Sequence, residues 1–245
     1  CEMLYVAIII TAFLTSVLSG LVGMAGGAVL MAILITILPV TSAMILHGAT
    51  QAMANGSRTY LLRKHLIWGL LPGYGIGAAS AVAIATWLVL IPDPGVVLLA
   101  IGIFPWAAQW SNRLKGLNIT QPLTTVACGF VVTFAQLIAG AAGPVLDVFY
   151  VNSGLGRQAI VANKALTQTI GHLLRILYYG VLISLTSQLP TWLFVASLVA
   201  AIFGTRVGTI LLARWNDADF EKLSHRIILT VATICIFRGI YVLGN

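Results

Sequence analysis

Polar residues of this chain recur in the same order, inside two segments that are otherwise apolar. Five positions of the first segment match five of the second when the sequence is shifted by 117 residues. The matched pairs are His47 with Lys164, Thr50 with Thr167, Gln51 with Gln168, Asn55 with His172, and Arg58 with Arg175. Hydroxyl and amide groups donate hydrogen bonds to an oxyanion without the tight hold of a full charge. Such donors suit a carrier, which must release what it binds; the alternative is hydrogen bonding between helices.

Residues that precede the two threonine-glutamine pairs by one helical turn are further candidates for binding. Positions three or four residues apart share a helix face, so His47 lies beside the first pair and Asn163 with Lys164 beside the second. Lys164 either supplies the counter-charge for an anion or extends toward the interface that begins near Arg157. His47 either exchanges a proton near neutral pH or is an interior histidine with satisfied hydrogen bonds.

Three charged or titratable residues are candidates for coupling transport to an ion. Asp147 is the only acid well inside an apolar segment. We expect Asp147 to pair with Lys164 or Arg206, and the alternative is that it carries a coupling proton. His172 and Arg175 extend the face of the second polar pair, because they follow it at helical spacing.

A glycine-rich interruption precedes each polar set. The interruptions occupy residues 23–27 and 140–144, in register with the same shift. Gly26, Gly27 and Gly143 are predicted to begin new half-helices, whose first N–H groups lack an intrahelical partner and bind anions. The alternative is that these glycines only let helices pack closely. Matching interruptions in a duplicated apolar chain indicate a transporter whose site lies between the repeats.

The composition indicates whether the surface of the chain faces water or lipid. Of its 245 residues, 60% are hydrophobic and only 8% are Asp, Glu, Lys or Arg, and the mean hydropathy is +1.02. A soluble domain carries about a quarter charged residues, so this chain cannot cover a surface that faces water. No segment shows the sustained alternation of a membrane barrel. The composition therefore predicts a multi-pass protein of the lipid bilayer, which we place in the plasma membrane.

The apolar segments predict an all-α fold with two repeats, residues 1–117 and 118–245, within one membrane domain. The first segment, residues 3–38, would measure about 54 Å as one helix, which exceeds a hydrocarbon core of about 30 Å. We therefore expect a broken hairpin, made of either two short crossings or two half-helices. Each repeat then has about five helical elements and begins with such a hairpin. Because five is odd, the second repeat is inverted relative to the first.

The basic residues favour this topology. Under five plus five elements, one side holds Arg63, Lys64, Arg113, Lys115, Arg157, Arg214, Lys222 and Arg226. Under four plus four, the same charges divide almost evenly. Cytoplasmic loops are rich in Lys and Arg, so the basic side is predicted to be cytoplasmic and both termini external. The net charge of +7 therefore requires no nucleic-acid partner.

Several sequence runs resemble those of the TauE/SafE family of sulfite exporter-like permeases. The runs are residues 20–27, Pro39, residues 140–144 and residues 154–164, and the resemblance extends over nearly the whole chain. The resemblance implies transport of small sulfur-containing anions across the bacterial plasma membrane. Sulfite, sulfoacetate and related organosulfonates are the substrates that it implies.

The predicted function is therefore secondary transport of a small sulfur oxyanion, with its site between the repeats near the membrane midplane. A channel, or a carrier for another small anion or solute, is the alternative. No catalytic motif and no Cys/His metal spacing occurs in the sequence, so we expect no enzyme activity, no cofactor and no metal. The coupling ion, either a proton or sodium, the direction of transport and a homo-oligomeric state all remain open.

Overall fold

The computed structural model describes residues 2–22, 25–109, 117–183, 187, 189–212 and 217–244. Over these residues the fold is all-α, as predicted, with ten α-helices and no strand. The helices are α1 (Glu2–Val22), α2 (Ala25–Ile37), α3 (Val40–Leu61), α4 (Leu71–Trp87), α5 (Pro94–Gln109), α6 (Pro122–Ala139), α7 (Gly143–Tyr150), α8 (Arg157–Leu177), α9 (Thr191–Leu212) and α10 (Asp217–Leu243). Gly23, Arg113, Lys115 and Arg214, which the topology prediction used, lie outside the described residues.

Five of the described helices are long and apolar enough to cross a membrane. They span Glu2–Gly20, Trp68–Trp87, Pro122–Ala139, Thr191–Leu211 and His225–Leu243. The chain is therefore a multi-pass membrane protein, as its composition predicts. Helices α3 and α8 are also long, with 22 and 21 residues, yet they are absent from this set. Their polar residues explain the difference, and both helices lie at the centre of the bundle, where α3 packs against α8.

Each glycine-rich interruption joins a long helix to a short one. Helix α1 has 21 residues and α6 has 18, which is close to a complete crossing. Helix α2 has 13 residues and α7 has only 8, or about 20 Å and 12 Å. The broken hairpins therefore match neither alternative of the sequence analysis, because only the second helix of each is short.

Gly140 makes the second interruption possible. It follows the last residue of α6 with φ 71°, in the left-handed region that side chains with a Cβ rarely adopt. Its N–H donates to the Gln136 carbonyl and closes the end of α6. Pro144 then lies in the first turn of α7, where its missing N–H leaves no helical hydrogen bond unmade. Glycine and proline thus end one helix and begin the next within five residues.

Four helix pairs make the most extensive contacts, and their pattern repeats. The pairs are α1 with α9, α4 with α6, α3 with α8, and α5 with α10. Let each of α1–α5 correspond, in order, to one of α6–α10. The α1–α9 pair then corresponds to the α6–α4 pair. The α3–α8 pair and the α5–α10 pair each correspond to themselves. The contact pattern therefore has an internal correspondence between α1–α5 and α6–α10.

The direction of each pair follows from the residues that its glycines face. Helices α3 and α8 are antiparallel, as are α5 and α10. Their contacts include Gly48 with Ile176, Gly56 with Thr169, Gly95 with Leu243, and Gly102 with Ala232. Helices α1 and α9 are parallel, as are α4 and α6. Their contacts include Ser16 with Gly204, Val17 with Gly208, Gly73 with Pro122, and Gly77 with Phe130. Small residues let these backbones approach closely, as is common between membrane helices.

Two apolar clusters surround the central α3–α8 pair. One contains residues of α2, α3 and α5 together with Tyr178 and Tyr179, which lie in a short π-helix after α8. The other contains Tyr74 of α4 and residues of α6 and α7. The free cysteines Cys128 and Cys235 are buried in these clusters, as expected for small core residues.

Candidate functional site

Two adjoining cavities lie beside the polar residues of α3 and α8. The central cavity is a space of about 10 Å³, enough for roughly one water molecule. Its lining includes Gly27, His47, Gln51, Gln136, Gly143, Gln168 and His172. The outer cavity has a volume of about 180 Å³. Its lining includes Asn55, Arg58, Asp147, Val161, Lys164 and Gln168. Gln168 belongs to both linings, so the two cavities adjoin at this residue.

The two interruptions meet at the central cavity. Gly27 of α2 and Gly143 of α7 both line it, and each lies in the first turn of its helix. The first N–H groups of a helix have no intrahelical acceptor and carry partial positive charge. Gln51 lies against Gly27, and its Nε2 atom has no hydrogen-bond partner among the described residues. An amide of the first repeat without a partner among the described residues, and the first turns of α2 and α7, therefore border one small space.

His172 adds a further donor to the central cavity. Its Nδ1 atom lies 2.8 Å from Nε2 of Gln136, which is an amide donor. Nδ1 therefore accepts this hydrogen bond, and the imidazole carries its hydrogen on Nε2. His172 is buried and lines the central cavity, with its ring 5.6 Å from that of His47. In this tautomer His172 can donate a hydrogen bond to an anion.

His47 is held between Arg175 and the first turn of α2. Nη2 of Arg175 lies 2.6 Å from Nδ1 of His47, and Nε2 of His47 lies 2.8 Å from the Gly27 carbonyl. Because a guanidinium has only donors, Nδ1 accepts and Nε2 donates, so the imidazole is neutral. Nη1 of Arg175 donates to the Gly140 carbonyl at the end of α6. Arg175 therefore connects α3, α8 and the second interruption.

The outer cavity contains an ion pair and a second arginine. Lys164 Nζ donates to Oδ1 of Asp147, so Asp147 pairs with Lys164, one of the two partners expected. Arg58 donates to the Ser19 carbonyl in the last turns of α1. The cations and the carboxylate lie on walls that are otherwise largely apolar, including Val161. This space can hold an anionic group beside an apolar body.

Some predicted site residues line neither cavity. Thr50 and Thr167 each donate to backbone carbonyls of their own helix. Asn163 donates to the His65 carbonyl and accepts from the Ile67 N–H, which ties the segment after α3 to α8. Gly26 packs so closely on the backbone of α1 that a Cβ would overlap Ser19 and Thr15. These contacts favour the structural alternative for all four.

Arg58 is the site residue that sequence reasoning did not select. Its match to Arg175 under the shift of 117 residues was the available signal, and that match did not lead to its prediction as a site residue. The remaining predicted residues do lie together. Gly27, Gly143, Gln51, Gln168, His47 and His172 line the central cavity, and Lys164 and Asp147 line the outer one. Arg175 lines neither cavity but contacts His47.

The comparison with known protein families gives the affiliation of the chain. The model of the sulfite exporter TauE/SafE family matches residues 8–236, a range that contains both interruptions and all residues that line the two cavities. Searches of curated proteins and of solved structures each returned no match. The family consists of membrane transporters, so the predictions of a transport function and of no enzyme activity are confirmed. The chain belongs to the sulfite exporter TauE/SafE family.

Proposed function

We propose that this protein is a secondary transporter of a small sulfur oxyanion, such as sulfite, sulfoacetate or a related organosulfonate. The anion binds in the central cavity, between the two repeats and near the midplane of the plasma membrane. The observation that carries the proposal is the convergence of hydrogen-bond donors on this space. Gln51, His172 and the first turn of α7 line it, and Gln51 Nε2 has no hydrogen-bond partner among the described residues, while Asp147 lies outside. A buried space with donors and no carboxylate in its lining favours an anion over a cation.

The directions of the helix pairs support an inverted relation between residues 1–117 and 118–245. Helices α3 and α8 are equivalent under the shift and pack antiparallel. A twofold axis relates two equivalent antiparallel helices only if it lies perpendicular to them. For helices that cross a bilayer, such an axis lies in the membrane plane. The antiparallel packing of α5 on α10 supports the same axis, as in transporters built from inverted repeats.

The small volume of the central cavity favours a carrier over a channel. A space of about 10 Å³ holds roughly one water molecule, whereas a sulfur oxyanion is several times larger. Beyond the cavity, Arg175 and His47 block the path with side chains that are fully buried. Substrate therefore enters only when helices move, which is how a carrier operates. The outer cavity provides the approach from one side.

The open side corresponds to the basic side of the protein. The outer cavity includes Val161 and Lys164, in the first two turns of α8 after Arg157. Hydrogen bonds from Asn163 hold the segment Arg63–His65 against this end of α8. Cytoplasmic loops carry the excess of Lys and Arg. The outer cavity therefore faces the cytoplasm in this proposal, and the structure corresponds to the inward-facing state.

Counterflow in proteoliposomes tests the proposal. Vesicles loaded with unlabelled sulfite or sulfoacetate should take up the labelled compound in a saturable manner. Gln51→Ala and Gln168→Ala should each slow this exchange about tenfold, because each removes a donor to a charged ligand. Gln158→Ala is the matched control, since Gln158 is an exposed glutamine at the start of α8.

Three outcomes would contradict the proposal. The absence of counterflow for both compounds, with protein that is folded and correctly inserted, would exclude sulfur oxyanions as substrates. Wild-type rates in both glutamine variants would place binding elsewhere in the protein. Uptake that does not saturate and shows no counterflow would indicate a channel.

A further inference from the structure

The two ends of the α3–α8 pair are equivalent in sequence but differ in accessibility. The shift of 117 residues matches Val161 with Met44 and Arg58 with Arg175. Val161 lines the outer cavity and is 37% exposed, whereas Met44 is 0% exposed. Arg58 lines the same cavity, whereas Arg175 is 0% exposed. One end is therefore open, and its counterpart is closed by packed side chains.

The two arginines make the same kind of contact at the two ends. Arg58 donates to the Ser19 carbonyl of α1, and Arg175 donates to the Gly140 carbonyl after α6. Each carbonyl belongs to the end of the long helix that precedes an interruption. Such ends carry partial negative charge, which stabilises a cation. The arginines thus occupy equivalent structural positions as well as equivalent positions in the sequence.

Arg175 has no counter-ion in the part of the chain that the structure describes. The ion pair found there joins Lys164 with Asp147. The position equivalent to Asp147 is Leu30, so the Arg175 end has no matching carboxylate. Nε of Arg175 also has no hydrogen-bond partner among the described residues. A buried charge without an opposite charge is costly, and a bound anion would supply that charge.

We propose that Arg175 and His172 form a second anion-binding position, which is closed in this structure and opens toward the opposite face of the membrane. The outer cavity at Arg58 and Lys164 is its open counterpart. This inference rests on the proposed function, because only a carrier has to expose the two positions in turn. The ligand is the same class of small sulfur oxyanion.

The contacts of Arg175 explain why this position is closed. Its Nη2 donates to Nδ1 of His47 on α3, and its Nη1 donates to the carbonyl of Gly140. Separation of the second interruption from α3 would free these donors. An anion could then accept hydrogen bonds from the guanidinium, which is a stronger interaction than one with a neutral acceptor. His172 lies between Arg175 and the central cavity and would pass the anion along the same helix face.

Replacement of Arg175 separates binding from exchange. In Arg175→Gln, counterflow of sulfoacetate should fall at least about tenfold, because the second position loses its charge. Equilibrium binding of sulfoacetate to the detergent-solubilised variant should change less than about threefold, since the central cavity and the Arg58 position both remain. Arg175→Lys should recover part of the exchange. Arg206→Gln is the matched control, because Arg206 is an exposed arginine of α9.

Thiol labelling tests the closed state without altering either arginine. Val161→Cys and Met44→Cys are made in a chain whose native cysteines are replaced by alanine. An impermeant maleimide should label Val161→Cys from one face of oriented vesicles. It should label Met44→Cys only from the opposite face and only during exchange, with sulfoacetate on both sides. Labelling of both cysteines from the same face would overturn the inference.

Different results would contradict the second anion-binding position and the transport function. If wild-type protein shows no counterflow, the transport proposal itself is wrong. If wild-type protein exchanges sulfoacetate and Arg175→Gln exchanges it at the same rate, only the second position is wrong. If Arg175→Gln does not fold, the labelling of Met44→Cys alone decides, and absence of labelling under exchange contradicts the inference.

Discussion

The Arg58 end and the Arg175 end of the central helix pair have corresponding sequences but different packing. At the Arg58 end, side chains border a cavity of about 180 Å³. At the Arg175 end, His47 and Met44 fill the equivalent space and are completely buried. The backbone contacts nevertheless correspond, as the pairing of α1 with α9 and of α4 with α6 illustrates. The difference therefore lies in how side chains pack between the helices. A conformational change of the carrier can reverse this difference.

The two ends also differ in charge. The outer cavity contains Arg58, Lys164 and Asp147, whereas the opposite end contains Arg175 with two imidazoles, those of His47 and His172. Lys164 is already paired with Asp147, so the charge available to an anion at the outer end comes mainly from Arg58. Each end thus has one guanidinium without a carboxylate partner among the described residues. Similar affinity at both ends is what a carrier needs in order to release its substrate on either side.

The largest effect should come from filling the open end. Val161→Trp places a bulky side chain in the outer cavity, which includes Val161 in its lining. Counterflow should fall by about a hundredfold, because the added ring occupies most of the space through which substrate approaches. Uptake of labelled sulfoacetate into proteoliposomes measures the effect.

The control for this variant is Val195→Trp, because Val195 is an exposed valine on α9. It should retain exchange within about twofold, as expected for a surface substitution. If Val161→Trp also retains exchange, substrate does not pass through the outer cavity, and the comparison of the two ends has no functional meaning.

Much of the architecture could be predicted from the sequence. The low charge and the length of the apolar segments indicated a helical membrane protein, and glycine clusters marked both broken hairpins. The shift that matches Gln51 with Gln168 relates α3 to α8, and these two helices pack together. These features follow from local composition and spacing, so they do not require knowledge of packing.

The contacts of individual polar side chains could not be predicted in the same way. Helical spacing places Thr50 beside Gln51, yet a threonine hydroxyl can bond a carbonyl of its own helix, and that contact is present. Lys164 had an anion, the interface or Asp147 as alternatives, and helical spacing did not decide among them; the pairing is with Asp147 of α7. Which end is open depends on packing between helices. Residue spacing along one helix carries no such information.

A smaller effect should come from removing the carboxylate that distinguishes the two ends. Asp147→Asn leaves the ammonium of Lys164 without its partner and raises the net positive charge of the outer cavity by one. Anion affinity should increase about threefold, because an opposite charge near the ligand favours binding. Titration of purified protein with sulfoacetate measures the change. Weaker binding would instead mean that Asp147 stabilises the site. Asp93→Asn serves as the control, because Asp93 lies outside the cavities.

The smallest effect should come from the threonines that the sequence placed at the site. Thr50→Val and Thr167→Val remove hydroxyls whose hydrogen bonds go to carbonyls of the same helix. Valine has nearly the same shape as threonine. The backbone carbonyls already accept hydrogen bonds from N–H groups of the same helix, so they stay satisfied without the hydroxyl. Each variant should therefore exchange substrate within about twofold of wild type. Gln51→Ala, one residue away from the first threonine, should lose about tenfold because its amide faces the cavity. A loss in Thr50→Val as large as that in Gln51→Ala would show that the hydroxyl turns toward the substrate in another state, so that the binding site includes both residues.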